Sequence, residues 1–233
     1  MYFSKKNIIL FIIILIIIFI SGFYYFNNIS IPKYKGRGYC DITNDYIPPK
    51  IYDNFISQNE ANHILELATP LFRESRLVSG FSENVRKSKT AWLSPSDSVV
   101  RKIIERVCDI TKIPFENTEK MQVVKYDPNG FYSAHYDASC DDKKECVEFE
   151  KNGGQRVVTM VIYFNDDFTG GYTQFQNLKK EYKPKKLNGL LFYSLENNGN
   201  QCHPLSLHSG MPVKTGNKYI ANVWLRETKY TIL

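Results

Sequence analysis

The sequence predicts an α+β domain in which two helices precede a series of antiparallel strands, with one transmembrane helix in front of the domain. Three observations support this prediction: an unbroken apolar run near the N-terminus, two segments with apolar residues at helical spacing, and short β-type segments from residue 121 onward. Helices followed by strands indicate the α+β class. The chain has 233 residues, and the part after the N-terminal segment is long enough for one hydrophobic core.

The N-terminal segment has the composition of a membrane anchor. Residues 8–20 are apolar without interruption, and with residues 21–26 they give the roughly twenty residues that a helix needs to span a bilayer. A cleaved signal peptide usually has a shorter apolar core and an Ala-x-Ala-like exit, which is not evident here. We therefore predict an uncleaved signal anchor over residues 1–29, a stem containing several prolines and glycines over residues 30–50, and a folded domain over residues 51–233.

Charge says little about a macromolecular partner or about membrane orientation. The chain carries 30 lysine and arginine residues against 24 aspartate and glutamate residues, a net charge of +6. This modest excess does not favour nucleic-acid binding, and no such partner is expected. Basic residues lie on both sides of the apolar segment, so the positive-inside rule does not choose an orientation.

Two helices are predicted in the first half of the domain. Ser57 and Glu60 form a capping-box pattern that opens a helix over residues 60–71. Ser94 and Pro95 can open a second helix. Both segments carry apolar side chains at helical spacing, which we interpret as core positions: Ile64, Leu65, Ala68 and Leu71 in the first, and Val99, Val100, Ile103, Ile104 and Val107 in the second.

Strands are predicted from residue 121 to the end of the domain. A turn at Thr215, Gly216 and Asn217 separates the last two, which we interpret as a hairpin. The other predicted strands cover residues 121–126, 132–137, 156–164, 172–175 and 190–194.

A metal site is predicted on the second of these strands. His135 and Asp137 are two residues apart, and on an extended strand such residues point to the same face. If a second strand brings His208 alongside, two nitrogens and one oxygen occupy one face of an octahedron. This geometry leaves three positions open and suits Fe(II) that binds a cosubstrate and O2.

Lys218 follows His208 across the predicted hairpin, in an apolar setting. One alternative is that it begins an exposed edge strand and extends its ammonium to water. A lysine among Tyr219, Ile220 and Ala221 is, however, costly to bury without an anionic partner. At this spacing from His208 we favour an anion-binding site.

Four separated segments that hold or flank these residues resemble the prolyl 4-hydroxylase family of Fe(II)- and 2-oxoglutarate-dependent dioxygenases. The segments are residues 85–93, 114–126, 153–166 and 207–226, and the resemblance covers roughly residues 51–227. It implies a double-stranded β-helix, or jelly roll, supported by the N-terminal helices.

The resemblance also implies roles for individual residues. His135, Asp137 and His208 would be the iron ligands. Lys218 would pair with the distal carboxylate of 2-oxoglutarate, Tyr126 would donate to the same carboxylate, and Thr159 would line its pocket. The catalytic residues implied in this way are His135, Asp137, His208 and Lys218.

The sequence departs from the family pattern at two places near this pocket. Asn222 stands where the family commonly has a threonine four residues after the lysine. Tyr172 follows the glycine pair where an acidic residue is usual. Neither departure touches a ligand, and both concern the shape of the cosubstrate and substrate pockets.

The implied reaction is hydroxylation of peptidyl proline, with Fe(II) as the catalytic metal. O2 and 2-oxoglutarate are consumed to give succinate and CO2, and ascorbate is the reductant of oxidised iron. Arg86, Trp92 and Trp224 match positions near the peptide groove, although both tryptophans also suit ordinary core positions. Two alternatives remain: another acceptor, such as lysine or a free amino acid, and a catalytically silent anchored module that binds peptides.

The family resemblance favours a single-pass membrane protein with a lumenal catalytic domain, in the endoplasmic reticulum. The five cysteines include Cys140 and Cys146, which flank a charged loop just after the predicted metal pair. In an oxidising lumen they could pair and stiffen the site entrance, and two free thiols are the alternative.

Overall fold

A computed structural model describes residues 46–76, 84–139, 149, 151–196 and 202–231. In these ranges no helix has the length and apolar character needed to cross a membrane. The predicted anchor over residues 1–29 and nearly all of the predicted stem lie outside the described residues. The division of the chain into anchor, stem and domain therefore stays a prediction.

The first helix, α1, covers Gln58–Ala68. Ser57 is its N-cap and forms the predicted capping box: the Ser57 hydroxyl accepts from the Glu60 amide, and the Glu60 carboxylate accepts from the Ser57 amide. The chain continues as a 3-10 turn over Thr69–Leu71, which contains Pro70. Because proline has no amide hydrogen to continue the α-helical bonds, the helix ends earlier than predicted, and Leu71 is largely exposed.

The second helix, α2, covers Ser98–Thr111 and begins later than predicted. Its N-cap is Asp97, whose carboxylate accepts hydrogen bonds from the amides of Val99 and Val100 at 2.9 and 3.0 Å. An aspartate is a strong cap that also suits the positive end of the helix dipole, so it starts the helix in preference to Ser94. The predicted apolar stripe is buried at Val100, Ile103, Ile104 and Val107.

Fourteen strands are present in the described residues. They are β1 (Lys50–Tyr52), β2 (Arg73–Glu74), β3 (Arg86–Lys87), β4 (Lys89–Leu93), β5 (Met121–Tyr126), β6 (Phe131–His135), β7 (Arg156–Tyr163), β8 (Thr169–Gly170), β9 (Thr173–Phe175), β10 (Lys180–Tyr182), β11 (Gly189–Tyr193), β12 (His208–Gly210), β13 (Val213–Thr215) and β14 (Lys218–Arg226).

The strands form two main antiparallel sheets. The major sheet has the order β1-β11-β7-β14-β5-β4-β2, and the minor sheet has the order β10-β9-β12-β6-β3. Strands β13 and β8 pair separately. Two antiparallel sheets with few helices are consistent with the predicted jelly roll.

The major sheet has one face toward the helices and one toward the minor sheet. On β14, Ala221, Val223 and Leu225 pack in one core cluster with residues of α1 and α2. Ile220 belongs to a second cluster that includes Phe175 of the minor sheet. Because side chains alternate along a strand, Lys218, Asn222 and Trp224 share the second face. This alternation directs them into the space between the sheets.

The predicted final hairpin is wrong. Strand β12, which carries His208, pairs with β6 and β9 in the minor sheet. Strand β14, which begins at Lys218, pairs with β5 and β7 in the middle of the major sheet. Strand β14 is buried on both faces along most of its length, which suits a central strand. His208 and Lys218 therefore lie on opposite sheets and face each other across the interior.

Candidate active site

Three potential metal ligands meet at one end of the minor sheet. His135 ends β6 and is the direct register partner of His208 on β12. The Asp137 carboxylate lies beside both imidazoles, with Oδ1 3.7 Å from His135 Nε2 and Oδ2 3.8 Å from His208 Nε2. The three groups offer ligand atoms that all lie within 4.8 Å of one another. The structure thus brings together the three residues that the sequence predicted as a metal site.

Asp137 reaches this position by a different route from the predicted one. The strand was expected to continue through residue 137, with His135 and Asp137 on one strand face. Strand β6 instead ends at His135, and Asp137 lies in a bend beyond it. The bend places the Asp137 carboxylate between the two imidazoles, so that it contacts His208 as closely as it contacts His135.

Backbone carbonyls fix the orientation of both imidazoles. His135 Nδ1 lies 2.7 Å from the Ser133 carbonyl oxygen, and His208 Nδ1 lies 3.0 Å from the Ser206 carbonyl oxygen. Because a carbonyl oxygen only accepts, each Nδ1 must carry the proton and donate it. Each Nε2 is then left with a lone pair directed toward Asp137, which is the tautomer that binds a metal.

The charge states of the site also suit a divalent metal. Burial lowers the pKa of His135 to about 3, an effect reinforced by His208, so the imidazole is neutral at physiological pH. Burial alone would raise the pKa of Asp137, but His208, His135 and Arg156 together lower it, and the carboxylate is ionised. Two imidazole nitrogens and one carboxylate oxygen form the donor set that non-haem Fe(II) oxygenases use.

Thr159, which the family resemblance places in the cosubstrate pocket, contacts the metal site. Its buried hydroxyl donates to Asp137 Oδ2 at 2.6 Å. Thr159 is also absent from the described residues that line the main cavity. We therefore revise its role to include the metal site: Thr159 orients the Asp137 carboxylate and helps to keep it ionised.

Thr159→Val is expected to lower iron affinity by about 10- to 100-fold, because it removes a hydrogen bond to a metal ligand while keeping the side-chain volume. Competition with a chelator would measure the affinity. Thr169→Val is a matched control, since that exposed hydroxyl bonds only to Thr215 far from the site. Equal iron affinity in Thr159→Val and wild type would contradict the revised role.

Lys218 is almost fully buried, at 2% exposure, so the exposed-strand alternative is wrong. Its ammonium donates to the Gly171 carbonyl oxygen at 2.8 Å and lies 5.3 and 5.4 Å from the ring centres of Tyr126 and Tyr163. No carboxylate of the described residues lies within ion-pair distance of it. A buried cation without an anionic partner marks a site for an anion from outside the chain.

Burial, together with the nearby Lys183, lowers the pKa of Lys218 to about 7. The ammonium of the free enzyme is therefore charged below pH 7 and loses its proton above it, so binding of a dianion at higher pH must take up a proton. The 2-oxoglutarate dissociation constant should rise about tenfold from about pH 6 to about pH 8. Calorimetry in buffers of different ionisation enthalpy would measure this uptake. In Lys218→Arg, which stays charged, the pH dependence should vanish.

One cavity of about 410 Å³ joins the metal site to Lys218. Its walls include the three potential ligands, Lys218 and Tyr126. Tyr126 is buried, and burial raises the pKa of its hydroxyl, so the hydroxyl stays protonated and can donate. The cavity is thus able to hold a metal at one wall and a small dianion against the other.

The three predicted substrate residues also line this cavity. Trp92 is 47% exposed, which excludes an ordinary core position, whereas Trp224 is buried. The two rings lie 6.0 Å apart. The Arg86 guanidinium donates to Ser88 Oγ at 2.9 Å and lies 4.6 Å from the ring centre of Tyr132. Together these side chains give the cavity an aromatic and cationic lining.

Arg156 lines the cavity and was not predicted as a site residue. Its guanidinium lies 3.6 Å from the ring centre of Trp224 and donates twice to the Glu119 carboxylate, at 2.6 and 2.8 Å. Glu119 also accepts from Arg226 at 2.8 Å. The sequence does contain a signal for Arg156: it is a charged residue at the start of the otherwise apolar β7, in a segment that resembles the family.

The predicted pairing of Cys140 with Cys146 lies outside the described residues. Cys108 has a free thiol. Cys202 is disulfide-bonded, a role that the sequence analysis did not predict, and its partner is not among the described residues.

Comparison with known proteins agrees with this geometry. Residues 121–226 match the 2OG-Fe(II) oxygenase superfamily. A putative prolyl 4-hydroxylase of Acanthamoeba polyphaga mimivirus is 42% identical over 193 residues, which cover 83% of this chain and 80% of that protein. Probable prolyl 4-hydroxylase 10 of Arabidopsis thaliana is 32% identical over 207 residues, which cover 78% of this chain and 70% of that protein.

A solved structure is also similar. The viral collagen prolyl hydroxylase from Paramecium Bursaria Chlorella virus-1, in its 2OG complex, superposes with a TM-score of 0.61 at 28% sequence identity. The match covers 76% of this chain and 94% of that chain. The predicted cofactors Fe(II), 2-oxoglutarate and O2 are confirmed, and ascorbate is typical of such enzymes. The chain belongs to the prolyl 4-hydroxylase family of 2OG-Fe(II) oxygenases and is an Fe(II)- and 2-oxoglutarate-dependent dioxygenase.

Proposed function

We propose that this enzyme is a peptidyl-proline 4-hydroxylase, which uses Fe(II), O2 and 2-oxoglutarate and releases succinate and CO2. One observation carries the proposal: the His-Asp-His site shares a single cavity with the unpaired Lys218 and with the aromatic pair Trp92 and Trp224. Aromatic-lined grooves are a common means of binding proline-rich peptides. The names of the relatives support the same substrate class.

The role of each residue follows from its position in the cavity. His135, Asp137 and His208 would hold the iron, which when bound supplies the oxidative chemistry. Lys218 and Tyr126 bind the distal carboxylate of 2-oxoglutarate through a charge and a hydroxyl donor, and so fix its orientation relative to the ligands. The tight walls around Lys218 exclude water from this end of the cavity, which strengthens the ion pair.

The substrate side of the cavity orients the acceptor. Trp92 and Trp224 offer ring faces to an apolar side chain, and Arg156, held by Glu119, supports the Trp224 ring. This lining favours a proline ring over a lysine or a free amino acid, whose charged groups would lose water against the aromatic walls. The intact metal ligands also speak against a silent binding module.

Iron-dependent succinate release on a panel of acceptors tests the proposal. The panel would contain proline-rich peptides, lysine-containing peptides and free amino acids, with mass spectrometry locating any added oxygen. We expect release with the proline-rich peptides and a hydroxyl group on proline. If only lysine-containing peptides or free amino acids were hydroxylated, the proposed substrate class would be wrong. If correctly folded protein hydroxylated no acceptor, the chain would be better explained as a binding module.

We also propose that the catalytic domain lies on the lumenal side of a membrane, in the endoplasmic reticulum, held by residues 1–29. The apolar run over residues 8–20 supports an anchor. The disulfide at Cys202 supports an oxidising compartment.

Glycosylation tests this location in cells. The native sequon Asn28-Ile29-Ser30 lies too close to the predicted span to be a dependable reporter. A sequon introduced near the exposed Lys185 should be glycosylated in carbonate-resistant membranes, because acceptor sites are modified only in the lumen. An unmodified sequon in a membrane-bound protein would contradict the lumenal orientation.

A further inference from the structure

A row of side chains crosses the major sheet at the level of the cavity. Trp92 on β4 pairs in register with Gln122 on β5, which pairs with Asn222 on β14, which pairs with Val161 on β7. Register partners on neighbouring strands point to the same face of a sheet. Trp92 is 47% exposed, Gln122 is 5% exposed and Val161 is buried. The row therefore leads from solvent into the interior, and the two amides lie in its middle.

Gln122 and Asn222 bond to each other and leave the Gln122 NH2 group and the Asn222 amide oxygen as the donor group and the acceptor that face the cavity without a partner among the described side chains. Asn222 Nδ2 donates to Gln122 Oε1 at 3.0 Å, and both residues line the cavity. Within the described residues no other side-chain hydrogen bond uses the Gln122 NH2 group or the Asn222 amide oxygen. If both amides were flipped, the roles would exchange and the pair would still present one donor and one acceptor.

The position of the pair is on the substrate side of the cavity. Lys218 and Asn222 are four residues apart on β14, which places them roughly 13 Å apart along the strand. Trp224 is the next residue on the same face, about 7 Å from Asn222. The pair is thus closer along the strand to the aromatic lining than to the ammonium that takes the cosubstrate.

A donor and an acceptor side by side complement one peptide group, which offers a C=O and an N–H. An amide that loses its water without gaining a partner is costly, so the pair needs a polar partner when substrate displaces water from the cavity.

We propose that Gln122 and Asn222 together read a backbone peptide group of the peptide substrate and so determine its specificity. The donor of the pair binds the substrate C=O, and the acceptor binds a substrate N–H. This inference rests on the proposed function, because it assumes a peptide in the aromatic part of the cavity.

Two peptides and two substitutions test the pair. The peptides are a short peptide of Pro-Pro-Gly repeats, whose glycines have N–H groups, and poly-L-proline of equal length, which has none in its interior. Gln122→Met and Asn222→Leu keep similar volumes and remove the amides. Each should raise the KM for the Pro-Pro-Gly peptide about tenfold, because one buried hydrogen bond to the substrate is lost.

The preference between the two peptides separates this role from a general packing effect. Wild type should have a lower KM for Pro-Pro-Gly repeats than for poly-L-proline. In Asn222→Leu the two KM values should be nearly equal. Asn222→Thr replaces the amide with one hydroxyl, and its ratio of the two KM values should lie between those of wild type and Asn222→Leu. Gln58→Met is a matched control on the exposed face of α1, where the Gln58 amide bonds to Asn62.

Failure of the inference is distinct from failure of the proposed function. If wild type hydroxylates neither peptide, the proposed function fails. If wild type is active but Gln122→Met and Asn222→Leu, shown to be folded by circular dichroism, keep the wild-type peptide KM, the inference is overturned. A rise in the KM for 2-oxoglutarate without a rise in the peptide KM would also overturn the inference, because it would show that the pair binds the cosubstrate.

Discussion

Asp137→Ala is expected to abolish turnover while leaving the fold largely intact. The substitution removes the anionic donor of the site and leaves two imidazoles, which hold Fe(II) far more weakly. It also leaves the Thr159 hydroxyl without its acceptor. Chelator competition would measure iron affinity, succinate release would measure turnover, and circular dichroism would check the fold. His135→Ala and His208→Ala should behave in the same way.

The matched control for this experiment is Asp127→Ala. Asp127 pairs with Lys89 and Lys125, and its side chain is 39% exposed. An exposed ion pair contributes at most about 1 kcal/mol, so the protein should fold and turn over normally. If Asp137→Ala hydroxylated a peptide at the wild-type rate, the assignment of the metal site would be wrong.

Local patterns predicted much of the fold, because they report interactions between near neighbours in the chain. The capping box at Ser57 formed as predicted, and strand β5 has the predicted limits, Met121–Tyr126. The stripe in α2 also faces the core, although Asp97 and not Ser94 caps the helix. In each case hydrogen bonds or packing within a few residues decide the structure.

The pairing of short strands could not be predicted in the same way. The three-residue β12 joins β6 and β9, although β14 follows it closely in the sequence. Its register is set by the packing of His208 against Phe175 and Phe192 in the interior, at ring distances of 5.5 and 4.7 Å. Spacing in the sequence carries no information about which sheet such a strand will join.

The same difference between local patterns and long-range contacts applies to the site residues. The three potential ligands were predicted from the spacing of His135 and Asp137 together with the family resemblance around His208, even though Asp137 lies beyond the strand. The hydrogen bond of Thr159 to Asp137 was not predicted, since it spans 22 residues. The contact of Glu119 with Arg156 and Arg226 spans 37 and 107 residues. Such contacts depend on the folded topology.

Lys218→Ala is expected to raise the apparent 2-oxoglutarate constant roughly a hundredfold or more. Leaving one partner of a buried ion pair alone costs on the order of 3 to 5 kcal/mol, and about 1.4 kcal/mol corresponds to a factor of ten. Kinetics with varied 2-oxoglutarate, at saturating iron and peptide, would measure the constant. Iron affinity should hardly change, because the ammonium is not a ligand. Lys218→Arg should fall between wild type and Lys218→Ala.

Lys125→Ala is the matched control, since that ammonium pairs with Asp127 away from the cavity. An unchanged 2-oxoglutarate constant in Lys218→Ala would mean that another group binds the distal carboxylate.

Lys218→Met separates the function of this residue from its effect on folding. Burial lowers the pKa of Lys218 to about 7, well below that of a lysine in an unfolded chain. A lowered lysine pKa means that the charged form is disfavoured in the folded state. The buried ammonium therefore destabilises the fold at pH values below the pKa of the unfolded chain, and this effect is complete below about pH 7. Methionine has a similar shape and no charge. Without cosubstrate, Lys218→Met should therefore melt at a higher temperature than wild type near pH 6, while it loses 2-oxoglutarate affinity as Lys218→Ala does. A lower melting temperature would show that the ammonium has an internal anionic partner, contrary to a site kept for the cosubstrate.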